Sequence, residues 1–280
     1  YNNLTLTPTG ATNYLLTGNL TGANAIAGNL TINANATLDA VNGSNYNLAV
    51  VGNWTNAGTF TARQGTVTFN GTNDQAITTA GQAFYNLTLN NTGAGGSDDI
   101  VISGTLDIDN ILTITDGDLD IDTSDPNVTL AGNLSIGANG SVDAGSGTFT
   151  FDGNGSKTWT DASAAIQDFG AVVVDGTAKT ITAMSNIKAM SLTIGADDTL
   201  DITGYTLTLT GTGTPLVKNG TFTTGNSTVT YAGTGLATNI AAVAYNNLTL
   251  TPTSSTNYLL TGNLTGANAI VGNLTINANA

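Results

Sequence analysis

The chain has no histidine, no cysteine and no glutamate, so its acid–base chemistry rests on 19 aspartates. Ser-His-Asp and Cys-His catalysis and the usual thiolate or imidazole zinc sites are therefore excluded. Two carboxylates alone can run glycoside hydrolysis, which leaves the adjacent pairs Asp98-Asp99 and Asp197-Asp198 as catalytic candidates. Each pair precedes a strand-like run, Ile100-Val101-Ile102 in one case and Leu200-Asp201-Ile202 in the other. Neither has a basic residue or histidine beside it. They read as turn residues, and the chain reads as a non-enzyme with no catalytic residues.

Nine of the aspartates fall within residues 98–125. Across Asp116-Gly117-Asp118-Leu119-Asp120-Ile121-Asp122 they alternate with apolar residues, which as a strand sends Leu119 and Ile121 to one side and the carboxylates to the other. If Asp107 and Asp109 lay on the neighbouring strand, carboxylates would stack about 4.8 Å apart and repel. Calcium, which takes six to eight oxygens, would relieve that. Asp107, Asp109, Asp118, Asp120 and Asp122 are thus candidate calcium ligands, and calcium is the one cofactor in prospect. Without calcium the same residues form a solvated acidic face. The EF-hand loop and the glycine-rich nonapeptide of calcium-binding β-rolls are both absent.

Asn-x-Ser/Thr occurs 18 times. Asn3, Asn19, Asn29, Asn53, Asn86, Asn133 and Asn273 are examples, and each is formally an N-glycan acceptor. The pattern has a structural origin as well: asparagine closes a turn, the next residue points in, and threonine points out.

The elements that position these residues are strands. Thr (52), Asn (35) and Gly (35) dominate. Threonine favours strands, while asparagine and glycine favour turns. Val67-Thr68-Phe69, Leu112-Thr113-Ile114-Thr115 and Leu207-Thr208-Leu209-Thr210 alternate with a period of two. Asn42-Gly43, Asn70-Gly71, Asp116-Gly117 and Asn219-Gly220 punctuate them. Helical periodicity is confined to a weak stretch at Ala162–Ile166. The net charge of −14 opposes nucleic acid. No apolar run is long enough to span a membrane as a helix.

The chain also repeats itself. Residues 245–280 reproduce residues 1–36 except at Gly10/Ser254, Ala11/Ser255 and Ala27/Val271, a period of 244. Within that period, Thr66-Val67-Thr68-Phe69-Asn70-Gly71 returns as Thr148–Gly153 and as Thr228–Gly233. Each is followed by a restart, at Phe84-Tyr85-Asn86-Leu87, Phe169-Gly170-Ala171-Val172 and Tyr245-Asn246-Asn247-Leu248. Modules at 1–84, 85–169 and 170–244 follow, and 245–280 opens the next unit. Gly-Asn-Leu-Thr recurs after ten residues, at 18–21 and 28–31. Fixed periods indicate a solenoid or an array. An all-β solenoid is expected, with about 21–27 residues per rung, and tandem Ig-like β-sandwiches are the alternative. Leu4, Leu6, Leu30, Ile32, Val67, Phe69, Leu87, Leu89, Phe149, Phe151, Leu207 and Leu209 should face inward, with Trp54 and Trp159 covering the core near a corner.

Gly52–Thr61, Gly65–Gly71 and Phe84–Asn90 together resemble a long tandem repeat of very large bacterial surface proteins, similar to filamentous-haemagglutinin-type adhesins. The resemblance is clearest over residues 46–90 and fades in the third module. It implies a right-handed parallel β-helix, export to the cell surface, a structural or adhesive role, and no catalytic residues. The expected function is a segment of an extracellular filament or stalk. An adhesin binding a surface or glycan comes second, and an Asp-based polysaccharide-degrading enzyme is a remote third. The expected partner is the chain itself, through uncapped ends or a covalent tandem array, and residue 280 is expected to interrupt a longer array. No nucleic-acid partner and no membrane span are expected in this segment.

Overall fold

The computed structural model describes residues 1–280. They form two compact units, Tyr1–Gly147 and Thr148–Ala280, and each is a stretch of parallel β-solenoid. The β-sandwich alternative fails on strand direction: sandwiches are built from antiparallel strands, whereas the strands within each unit pair in parallel with the strand one rung away. Helix is confined to two single 3₁₀ turns, Gly22–Asn24 and Gly266–Asn268.

In the first unit the inward residues stack as ladders. On one face Leu4, Leu30, Trp54 and Ile77 succeed one another. On another, Leu48, Val67, Leu87, Leu112 and Leu134 form one column, and Val50, Phe69, Leu89, Ile114 and Ile136 form the next. The second unit repeats the arrangement. Phe149, Val172, Leu192 and Leu216 form one column. Leu209, Tyr231, Leu250 and Ile276 form another. Alternation puts threonine on the outside of the same strands, as in the run Thr5, Thr31, Thr55 and Thr78. Register partners lie from 19 residues apart (Leu48 and Val67) to 28 apart (Leu20 and Leu48). Corners absorb these differences while the ladders keep their phase.

The internal repeats now have a physical meaning. Each Thr-x-Thr-aromatic motif and the restart that follows it are stacked neighbours. Val67 pairs with Leu87, Phe149 with Val172, and Val229 with Leu248. The duplicated segment folds the same way twice: Leu4–Leu6 pairs with Leu30–Ile32 just as Leu248–Leu250 pairs with Leu274–Ile276.

Most of the expected inward residues are buried, although Leu4 is only partly so. Both tryptophans are buried close to an end of their strands. Trp54 is 1% exposed and lies within a ladder. Its ring packs 4.9 Å from Phe60, 5.3 Å from Phe84 and 6.2 Å from Phe69. Trp159 is equally buried, 5.3 Å from both Phe151 and Phe169, and it stacks on the small Ala183. A large indole fits inside a rung when its ladder neighbour is small or when aromatic edges close around it.

Trp54→Ala should destabilise the surrounding rungs by about 3–5 kcal/mol, because the cavity cannot be filled by shifting a single ladder. Native-state hydrogen exchange should show the loss at Leu30, Ile77 and Phe84 first. Uniform or absent change would contradict ladder packing.

Candidate functional site

The expected calcium ligands do not share a ladder. The long strand Leu106–Ile121 turns corners, so its segments lie on different faces. Asp107 is in register with Thr129, whose hydroxyl donates to Asp107 Oδ1 at 2.8 Å. Asp109 follows on the same strand, and burial together with Asp107 raises its pKa. Asp118 and Asp120 stack elsewhere: Asp118 on Asp99, and Asp120 on Asp143. Asp107 and Asp109 are therefore not the rung neighbours of Asp118, Asp120 and Asp122. No three carboxylates gather where one metal ion could take them all.

What gathers instead is a carboxylate ladder made of Asp99, Asp118, Asp120 and Asp143, with Asp98 beside it. The sequence signal pointed to the right strand and the wrong partners. Asp143, 21 residues beyond Asp122, was missed because only its register brings it in. No lysine or arginine occurs between Arg63 and Lys157, so no cation from within that stretch neutralises the ladder. The fold manages the repulsion locally. Asp120 is 7% exposed. Burial pushes its pKa up, but the Thr123 hydroxyl at 2.6 Å and the N–H groups of Thr123 and Asp122 outweigh that and hold it below the usual value. Exposed Asp122 shifts upward through its contact with Asp120. Asp118 has one buried oxygen without a partner. Burial, followed by repulsion from Asp143, Asp99, Asp120 and Asp98, pushes it up to about 6.

The other aspartate pair serves the fold. Asp198 is buried and accepts the N–H of Lys179 at 2.7 Å and that of Gly176 at 3.2 Å. Asp197 accepts the N–H of Ala178 at 3.1 Å. The buried Lys179 ammonium donates to the Asp152 carbonyl, and burial brings its pKa down to about 8. In the first unit Arg63 grips Asp39 with two hydrogen bonds, at 2.8 and 2.7 Å, which holds that carboxyl below its usual range.

The asparagines of the glycan motifs act as rung clasps. Asn3 Oδ1 accepts the N–H of Asn29 at 2.7 Å, Asn29 Oδ1 accepts that of Asn53 at 2.9 Å, and Asn53 Oδ1 accepts that of Ala76 at 2.9 Å. Asn19 Oδ1 takes the N–H of Asn47 at 2.9 Å. Asn86 Oδ1 accepts from Asn110 Nδ2 at 2.7 Å. Asn133 stands just before the strand Leu134–Ala144, and its backbone carbonyl accepts from Leu112 N at 3.0 Å. Exposed Asn273 donates its N–H to Asn247 Oδ1 at 3.0 Å. Each such clasp supplies an acceptor at a corner, where the strand ladder is interrupted.

A groove of about 550 Å³ in the first unit is lined by Tyr1, Leu4, Leu6, Tyr14, Leu15 and neighbouring residues, none of them an acid or a base. Thr17, Asn19 and Asn24 add polar atoms to its aliphatic and tyrosine lining. Comparison with family models, with curated proteins and with solved structures finds no match.

Asp118→Asn should stabilise the first unit above pH 6 and flatten its pH dependence. A carboxyl whose folded pKa lies above its unfolded value contributes stability that is complete below about pH 4 and lost as pH rises through about 6. The gain at pH 7 should be about 1–3 kcal/mol. Thermal melts of both proteins from pH 4 to 8 check this, and parallel curves would refute it.

Proposed function

We propose that this chain is a non-catalytic scaffold, a segment of an extracellular filament or cell-surface stalk built from tandem β-solenoid repeats. The observation that carries the reading is the duplicated segment, in which Leu4–Leu6 on Leu30–Ile32 and Leu248–Leu250 on Leu274–Ile276 pair in the same register. A repeat that stacks identically wherever it occurs can be propagated without redesigning its junctions. The distribution of polar groups supports the reading. Threonines line the outside, asparagine oxygens clasp one rung to the next, and the paired aspartates hold turns. The acidic surface keeps such a structure solvated and discourages side-by-side association. Placement outside the cell rests on the resemblance to tandem-repeat surface proteins.

Inserting a further copy of residues 1–244 should lengthen the particle by a fixed increment. With about 9–12 rungs at roughly 4.8 Å each, that is on the order of 45–60 Å. Electron microscopy or small-angle scattering of the two proteins measures it. A bead-like thickening without lengthening would refute the scaffold reading, and so would hydrolysis of an acidic polysaccharide by the unmodified chain.

A further inference from the structure

In an Asn-Gly pair the asparagine side-chain amide can reach the next backbone nitrogen with little hindrance, because glycine has no Cβ. The chain has five such pairs: Asn42-Gly43, Asn70-Gly71, Asn139-Gly140, Asn154-Gly155 and Asn219-Gly220. The sequence treats them alike, and the fold separates them.

Four are held by a neighbouring rung. Gly71 is buried, and its N–H donates to Gln75 Oε1 at 3.0 Å. The Gly220 N–H donates to the Ile194 carbonyl at 3.3 Å, and a Cβ on Gly220 would fall 2.1 Å from the Gly195 carbonyl oxygen. Gly140 is buried inside the strand Leu134–Ala144, in register with Gly117. Asn154 and Gly155 open the strand Asn154–Asp161 and pair with Thr177 and Lys179 across a register shift.

The fifth pair stands clear of the ladders. It lies in the turn that carries the chain from Ala36–Asp39 to Leu48–Val50. The base of that turn is closed by the Tyr46 N–H, which donates to the Ala40 carbonyl at 2.9 Å. It is also fastened by the Val41 N–H, which donates at 2.8 Å to Asp39 Oδ1, the carboxylate that Arg63 grips. Beyond the base, Asn42, Gly43 and Ser44 are all exposed. Neither the Asn42 amide nor the Gly43 N–H makes a hydrogen bond. Gly43 has a φ of 82°, and a Cβ there would meet nothing within 4 Å. Exposed loop tips are where a chain tolerates chemical change best.

We infer that Asn42 is a self-modification site, at which the Asn42-Gly43 link converts to an aspartyl or isoaspartyl link without an enzyme. The Gly43 nitrogen, having lost its proton to solvent base, attacks Asn42 Cγ. A bond forms between them, the bond from Cγ to the side-chain nitrogen breaks, and ammonia leaves. Water then opens the cyclic imide at either carbonyl. One opening gives aspartate, and the other gives isoaspartate, whose main chain runs through the former side chain. Water is the only co-reactant. Each event adds one negative charge at the tip of the turn. The Ala40–Tyr46 closure and the Arg63–Asp39 pair lie outside the rearranged link, so Leu48 and Val50 keep their register on Val67 and Phe69. A folded chain would thus carry a record of its age at one position.

The test is to incubate the folded full-length chain in mildly alkaline buffer and map its peptides by mass spectrometry. Asn42 should convert at least about tenfold faster than the asparagine of any other Asn-Gly pair, because those must first open locally. Isoaspartyl-specific methylation should label the same peptide. In denaturant the five pairs should converge on similar rates. Asn42→Gln should remove the first acidic isoform seen on isoelectric focusing. Equal rates at all five pairs in the folded chain would overturn the inference. So would faster conversion at another pair, or an early acidic isoform that survives Asn42→Gln.

Discussion

Everything in this protein depends on the parallel hydrogen-bond register between one rung and the next. In an antiparallel sheet a strand chooses its partner through a short turn, but here the partner lies about twenty residues away and must arrive in phase on every face. A slip of one residue would turn a column such as Val50, Phe69, Leu89, Ile114 and Ile136 out to solvent and bring the threonines in. The inward columns, the outward threonines and the corner asparagines are three expressions of that one phase requirement. The asparagines matter most where strand pairing lapses, since a side-chain oxygen at each corner keeps consecutive rungs in step.

The same register explains how the protein carries its charge. Identical side chains one rung apart strengthen an apolar column and weaken a charged one. Asp99 on Asp118 and Asp120 on Asp143 are pairs that parallel stacking imposes. Ordinary salt screens over roughly 8–10 Å, longer than the spacing between rungs, so bulk ions relieve little of this. Relief comes from within: Thr123 and nearby N–H groups stabilise one carboxylate, and Asp118 retains its proton to higher pH. The Arg63–Asp39 pair is the alternative solution, used where a cation is to hand.

Much of the fold was legible because period-two alternation and periodic turns are local signals. Leu87-Thr88-Leu89 or Leu207-Thr208-Leu209 announces a half-buried strand without reference to anything distant. The repeat motifs also have a structural counterpart, since each Thr-x-Thr-aromatic motif lies one rung from its restart. Side-chain partnerships were less legible. Asp107 and Asp118 are close in sequence on one strand, but that strand bends twice between them, and corner positions depend on backbone geometry that composition does not encode. Asp143 reaches the acidic ladder only through a 23-residue register match with Asp120. Trp54 was expected to cover the core, but the ring cluster around it, Phe60, Phe69 and Phe84, comes from three separate strands and was not legible.

The equivalence of the two copies also bears on heredity. A coding sequence with near-identical stretches one period apart invites crossover between them, and each event adds or removes one full 244-residue period. For most proteins an insertion or loss on that scale would destroy the fold. Here the seam falls inside a segment whose first-face strand pairing and corner clasp are the same on either side of the exchange. The product would fold as its parent did, only longer or shorter, so length becomes a trait that can vary between generations without a change in the rules of assembly.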